Sequence, residues 1–172
     1  MSSLIIYFSR TGGNYVAGDI RNLEKGNTEI VAEMIQKLTG AELFEAEPVV
    51  PYSDDYSACI EEAKNDKKRD ARPELKKYPE HMESFEKIYL GYPNYWGTMP
   101  MAMFTLLEHF DFAGKTILPF CTHEGSGLGD SVRDIRRLCP GADVRPGLAI
   151  TGSRAAPPGK EATKWVLRAK KE

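Results

Sequence analysis

Apolar residues run along this chain in blocks, and the spacing inside each block names an element. Leu4-Ile5-Ile6-Tyr7-Phe8 is a continuous apolar run of strand length, the pattern of a strand buried on both faces. At Ile30, Val31, Met34, Ile35 and Leu38 the period becomes helical, and Gly40 follows as a C-cap. Ala41 to Glu47 alternates apolar and charged residues, as a strand at a sheet edge does, before Pro48 and Pro51 mark a turn. Asp54 to Asp70 is helical again, with Tyr56, Ile60 and Ala63 inward and charges outward. Lys87 to Tyr92 and Thr116 to Cys121 are two further buried strands. Between them Pro100 opens a helix through Met103, Phe104, Leu106 and Leu107. Ser131 to Leu138 is a helix with Val132, Ile135 and Leu138 on one face, ending before Pro140. Val144 to Ile150 reads as a last strand, and Pro146 puts it at an edge, where a missing N–H is tolerated. Pro157-Pro158 then opens a terminal helix carrying Trp165 and Leu167.

Strands and helices thus alternate through five βα units. The pattern predicts an α/β fold of three layers, a doubly wound sandwich with a five-stranded parallel sheet covered on both faces. The polar or proline-bearing second and fifth strands belong at the edges, and the apolar first, third and fourth at the centre. That is the order 2-1-3-4-5, whose ligands sit beyond the carboxyl ends of the strands at the switch between the first and third. With 172 residues and no repeat or linker, one domain over residues 1–172 is expected.

Composition narrows the function classes. A formal net charge of -2 supplies no bulk field for nucleic acid or an anionic membrane. The charge run Lys64 to Arg72 interleaves acids with its bases and reads as a solvated helix face. No apolar run approaches the roughly 20 residues that span a bilayer. Cys59, Cys121 and Cys139 are odd in number and far apart, which fits neither a disulfide framework nor a zinc site, so a cytoplasmic location is expected.

The candidate chemistry lies in three strand-exit loops. Ser9-Arg10-Thr11-Gly12, resuming as Gly26-Asn27-Thr28, joins a buried strand to a helix start, where free N–H groups and the positive helix end converge as a phosphate cup. The plainer alternative makes Asn27 or Thr28 an N-cap and Gly12-Gly13 a turn. Pro93-Asn94-Tyr95-Trp96-Gly97 offers a stacking wall for a flat heteroaromatic ring with Asn94 as a polar contact, or else Trp96 packs on the following helix. Around Gly125, small residues let backbone N–H groups approach the polar edge of such a ring. Other motifs fail on inspection. The first loop lacks the lysine of a nucleoside-triphosphate loop, and Asp130 stands where a dinucleotide fingerprint needs its last glycine. Glu124 stands where a nucleophile elbow needs its first. His81, His109 and His123 have no metal-ligand spacing. A phosphate loop, a ring-face loop and a ring-edge loop together describe a phosphorylated flavin.

With these residues in place the chain resembles the flavodoxins. It is most similar to a subfamily written Y-F-S-R-T-G, G-N-T, G-Y-P-x-Y/W-W-G and T-x-x-G-S-G-L-G, found here as Tyr7 to Gly12, Gly26 to Thr28, Gly91 to Gly97 and Thr122 to Gly129. The resemblance implies FMN, with its phosphate held by Ser9, Arg10, Thr11, Asn27 and Thr28. It implies that Pro93, Asn94, Tyr95, Trp96 and Gly97 line the ribityl chain and one flavin face, and that Thr122, His123, Glu124 and Gly125 border the pyrimidine edge. The implied function is electron transfer with the flavin as redox centre and no catalytic side chain, serving redox partner proteins. The alternative is an NAD(P)H:quinone oxidoreductase with a small quinone-like acceptor. Glu124 is expected to disfavour the reduced, anionic flavin. Two departures stand out. Residues 13–25 interrupt the phosphate loop, far beyond the usual 2–6 residues of such a connection, and are expected to form a lid over the phosphate or a contact between subunits, with monomer and homodimer both open. The loop after the fourth strand has no aromatic residue, which leaves the second flavin face open.

Overall fold

The structure is a computed structural model that describes residues 2–155 and 159–172. In chain order its elements are β1 (Ser3–Tyr7), β2 (Gly12–Val16), β3 (Asp19–Leu23), α1 (Asn27–Thr39), β4 (Glu42–Glu45) and α2 (Tyr56–Lys68). There follow β5 (Lys87–Pro93), α3 (Met101–His109), β6 (Thr116–His123), α4 (Ser131–Leu138), β7 (Asp143–Val144), β8 (Leu148–Thr151) and α5 (Lys160–Lys171). The parallel sheet runs β4-β1-β5-β6, with β7 and β8 both on the outer side of β6. This is the expected order 2-1-3-4-5, with the fifth strand in two pieces. Pro146 explains the division. β7 pairs with Thr116 and Ile117, β8 pairs from Phe120 to His123, and the proline without its N–H falls between them.

The continuous apolar runs divide cleanly between the two faces of the sheet. Leu4, Ile6, Phe8, Ile88, Leu90 and Tyr92 join α3 and α4 in one core. Ile5, Tyr7, Tyr89, Leu118 and Phe120 join α1 and α5 in the other. Alternation along a strand sends neighbours to opposite faces, so a run without polar residues is what two buried faces require. At Gly91 the sheet also needs a missing side chain, because a Cβ there would enter the Phe120 ring on the paired strand.

The helices carry the expected punctuation. Gly40 ends α1 in the left-handed conformation at φ 73°, its N–H donating to Gln36 O. Asp55 caps α2 by accepting the Ala58 N–H at 2.9 Å. Along α2, however, the buried residues are Cys59, Ala63 and Asp66. Tyr56 and Ile60, expected inward, are only half-buried, because they look into a cavity rather than the core. His109 ends α3 and stacks on Tyr78 with ring centroids 3.8 Å apart. The expected helix start at Pro157-Pro158 lies outside the described residues.

One element differs in kind from the expectation. Residues 13–25 read from the sequence as a long connection of unassigned structure, but β2 and β3 pair antiparallel over five positions from Gly12↔Leu23 to Val16↔Asp19. Ala17 and Gly18 make the two-residue turn, both at positive φ (51° and 89°). The hairpin stands off the main sheet and is anchored by the Gly13 N–H donating to Asp54 O at 3.1 Å. Among the described residues, no helix is long and apolar enough to cross a membrane.

Candidate functional site

Beyond the carboxyl ends of β1, β5 and β6 lies a cavity of about 550 Å³. That is within the usual range for a cofactor site. Residues from all three expected loops line it, and the loops do converge.

The first loop meets the start of α1. Gly26 is its N-cap residue and has no side chain to spare: a Cβ there would strike Ser9 Oγ and lie 2.9 Å from Arg10 N. The capping oxygen comes instead from Ser9, whose Oγ accepts the Glu29 N–H at 3.2 Å. The first intrahelical bond here is Ile30 N–H to Gly26 O, so the amides of Asn27 and Thr28 precede the helical ladder. Asn27 lines the cavity; Thr28 does not. The Thr28 hydroxyl is buried against the Thr122 hydroxyl at 2.8 Å, which fastens α1 to the end of β6. Thr11 is exposed and outside the cavity lining, because Gly12, at φ 79°, opens the hairpin and carries the chain away from the helix end. Arg10 does line the cavity, yet its guanidinium donates to Gly13 O at 3.0 Å, Ser53 O at 2.7 Å and Asp54 O at 3.1 Å. It braces the hairpin and the 53–54 turn. Of the five residues expected around a phosphate, Arg10 and Asn27 therefore reach the cavity, while Ser9 and Thr28 spend their hydroxyls on protein groups.

The second loop is a tight turn. Tyr95 N–H donates to Thr98 O at 2.8 Å, and Trp96 and Gly97 occupy the turn at φ 55° and 86°. A bulky residue at positive φ is strained, and other contacts hold Trp96 there. Its Nε1–H donates to Ile60 O at 3.0 Å, and Lys67 Nζ donates to its carbonyl. Trp96 thus leans on α2, the helix before it, rather than on the one that follows, and stays 44% exposed as one wall of the cavity. Tyr95 lines the cavity as expected and also packs against the core. It packs edge-on against Phe8 and Tyr52 at 5.8 and 5.9 Å. Burial pushes its hydroxyl well above the ordinary tyrosine value, so it stays protonated. Asn94 ties loops together: its Nδ2 donates to Gly127 O at 2.8 Å and its Oδ1 accepts the Gly97 N–H at 2.9 Å. Its side chain is a strut between loops and also lines the cavity. Pro93 and Gly97 line the cavity as expected.

In the third loop Thr122, His123 and Glu124 line the cavity, and Ser126 does so in place of Gly125. Gly125 is exposed at φ 125°, with its N–H donated to His123 Nδ1 at 2.8 Å. Glu124 Oε1 accepts the Ser153 N–H at 2.9 Å, which pins the turn after β8. Gly152, in that turn, is confined: a Cβ would lie 2.6 Å from Asn27 Nδ2 and 2.7 Å from Glu124 Oε1. The Glu124 carboxylate therefore stands beside Asn27, near the helix start as well as the third loop.

The remaining lining residues lie outside the three loops, and of them only Asn14 and Tyr15, in the interruption at residues 13–25, are candidates from the sequence. Asn14 and Tyr15 come from β2, Tyr56, Cys59, Ile60 and Ala63 from α2, and Gly152 from the turn after β8. The α2 residues share one helical stripe, whose spacing is the same whether it faces a core or a cavity. Tyr15 stacks near Tyr56 with centroids 6.2 Å apart, so the aromatic residues absent from the third loop are supplied here by the hairpin and α2. Burial raises the Cys59 thiol, which Arg10 partly offsets.

No curated protein matches the chain. Among solved structures it is similar to a candidate flavoprotein of Bacteroides uniformis, at 22% identity over 96% of this chain and 97% of that one, with a TM-score of 0.71. A candidate flavoprotein of Bacteroides eggerthii matches at 24% identity over 90% and 93%, with a TM-score of 0.68. A Lactobacillus acidophilus flavoprotein in complex with FMN matches at 19% identity over 90% and 96%, with a TM-score of 0.64. At these identities the likeness is one of fold. The profile of a family described as flavodoxin matches residues 21–169, and the chain belongs to the flavodoxin family.

Proposed function

We propose that this chain binds FMN in the cavity of the three strand-exit loops and acts as an electron-transfer protein. The observation that carries the reading is the meeting of those loops, with the start of α1, on one space of about 550 Å³. The residues present suit the group. Gly26 is a cradle that a Cβ would fill, and the amides of Asn27 and Thr28 stand ahead of the helical ladder, where the helix end favours an anion. Those amides, with the Asn27 side chain and Arg10, would hold the phosphate. Pro93, Trp96 and Gly97, with Thr122 and His123, would border the ring. The bound flavin supplies the redox chemistry, and the protein supplies binding, orientation and the local field. On this reading the partners are redox proteins. A fluorescence titration of apoprotein with FMN is expected to saturate at one equivalent per chain.

A second reading is favoured by the cavity's reach under α2 and the hairpin, where Tyr15, Tyr56 and Ile60 add walls beyond the three loops. That extra space suits a small substrate and an NAD(P)H-dependent oxidoreductase with a quinone-like acceptor. Anaerobic mixing with NADPH separates the two. Rapid direct bleaching of the flavin band supports the enzyme, and a stable band supports the carrier.

A further inference from the structure

We propose that the outer edge of β3 is a contact between two copies of this chain, which pair antiparallel about a two-fold axis at Ile20. The contact lies outside the three cofactor loops and does not depend on FMN.

The register of the hairpin fixes which backbone groups point outward. Val16↔Asp19 closes the two-residue turn and exchanges hydrogen bonds across the hairpin. Asn14↔Arg21 and Gly12↔Leu23 then do the same, and the pairs between them do not. Gly13 agrees: its N–H donates to Asp54 O and its C=O accepts from Arg10 Nε, both away from β3. The amides and carbonyls of Ile20 and Asn22 therefore face away from β2. Among the described residues no loop or turn backbone group bonds to them. Proline, lysine or a bulge commonly blunts such an edge. Residues 19–23 contain neither proline nor lysine, the ladder is unbroken, and Ile20 is 59% exposed.

Charge and register together name the occupant. An open edge takes a strand whose own outward groups face it, and a second copy of β3 running antiparallel meets that condition when the two-fold passes through a residue. A two-fold at Asp19 or Arg21 sets identical charges directly opposite, and one at Leu23 sets Arg21 against Lys25 of the partner subunit. One at Asn22 sets Ile20 against Glu24 of the partner subunit. At Ile20, however, Asp19 faces Arg21 of the partner subunit in both halves, and Ile20 faces Ile20 of the partner subunit. The charges thus reject every other register along β3 and favour this one. Tyr15 stands opposite Ile20 within the hairpin and lines the cavity, so the apolar row across the shared four-stranded sheet starts at the cavity wall. So short a contact gives a dimer that dissociates on dilution.

The test is sedimentation velocity of the full chain over a dilution series at low salt. The protein is expected to pass from the mass of two chains to that of one as it is diluted. Arg21→Asp and Asp19→Arg each set like charges opposite in both halves, and each should weaken self-association about tenfold. Mixed one to one, the two variants should associate again, because each now complements the other. The chain carrying both exchanges should pair with itself. Circular dichroism is recorded for every variant, and restored association on mixing separates a charge effect from a folding defect. Register is read independently by a short bismaleimide, which should join two copies of Ile20→Cys but not of Val50→Cys, a more exposed position. That cross-link decides the matter should a charge variant fail to fold. A monomer at every concentration would leave the edge to a different protein and overturn the proposal. A dimer indifferent to both single variants, folded variants that stay apart when mixed, or no cross-link through Ile20→Cys would overturn it equally. Dimerisation without FMN binding would count against the functional reading alone.

Discussion

Gly26 and Ser9 decide whether the helix start can receive a phosphate. Adding a methyl group in Gly26→Ala would displace both Ser9 Oγ and the Arg10 backbone. The expected outcome is an FMN affinity lowered at least tenfold with a stability loss of about 1–3 kcal/mol, read by titration and by denaturant unfolding. Cysteine chemistry offers a second check at this scale. Burial pushes the Cys121 and Cys139 thiols up to about 12, and Cys59, raised less, lines the cavity. In native protein at pH 8, alkylation should be slow overall and fall on Cys59 first, with FMN slowing it further; peptide mapping would show the order. Glu45 gives a pH dependence. Burial, then the charges of Glu47 and Glu29, raise its carboxyl above the ordinary 4.5. The folded state therefore binds this proton more tightly than the unfolded chain, so the charged form weakens the fold at neutral pH. That penalty fades as pH falls through the raised folded value and is gone below the ordinary one. Glu45→Gln should raise the melting temperature by about 1–2 °C at pH 7 and give no gain below 4.5.

At the scale of elements the hairpin is the feature that most changes the site. It contributes Asn14 and Tyr15 to the cavity, and Arg10 and Gly13 bind its base to the 53–54 turn. Replacing residues 15–24 with a short glycine-serine link should weaken FMN binding severalfold, because it removes the Tyr15 wall and frees Arg10. Unchanged affinity would make the hairpin passive. How it escaped the sequence is physical. Ala17-Gly18 lacks the Asn or Asp that usually announces a two-residue turn, and β3 is almost wholly exposed, so no alternation of apolar residues marks it. Pro146, by contrast, announced the edge position of the last strand and failed only to show that it breaks in two. Ser9, Thr28 and Asn94 are a different case. Their side chains suit a ligand or a tertiary tie equally well, and only the partners across the fold, Glu29, Thr122 and Gly127, decide between them.

For the whole molecule, topology was the most legible property. Strands buried on both faces leave no choice but helices above and below, and edge-type sequences at the second and fifth strands leave one common order. That order brings the three loops to one end of the sheet. Trp96 was legible as a wall and residues 13–25 as a candidate lid, but α2 was invisible as a wall because its stripe has the same spacing whether it faces a core or a cavity. The most direct test of the account is a fluorescence titration of apoprotein with FMN and, in parallel, with riboflavin. The account predicts saturation at one FMN per chain and binding at least tenfold weaker without the phosphate; unquenched flavin, or riboflavin bound as tightly as FMN, would contradict it.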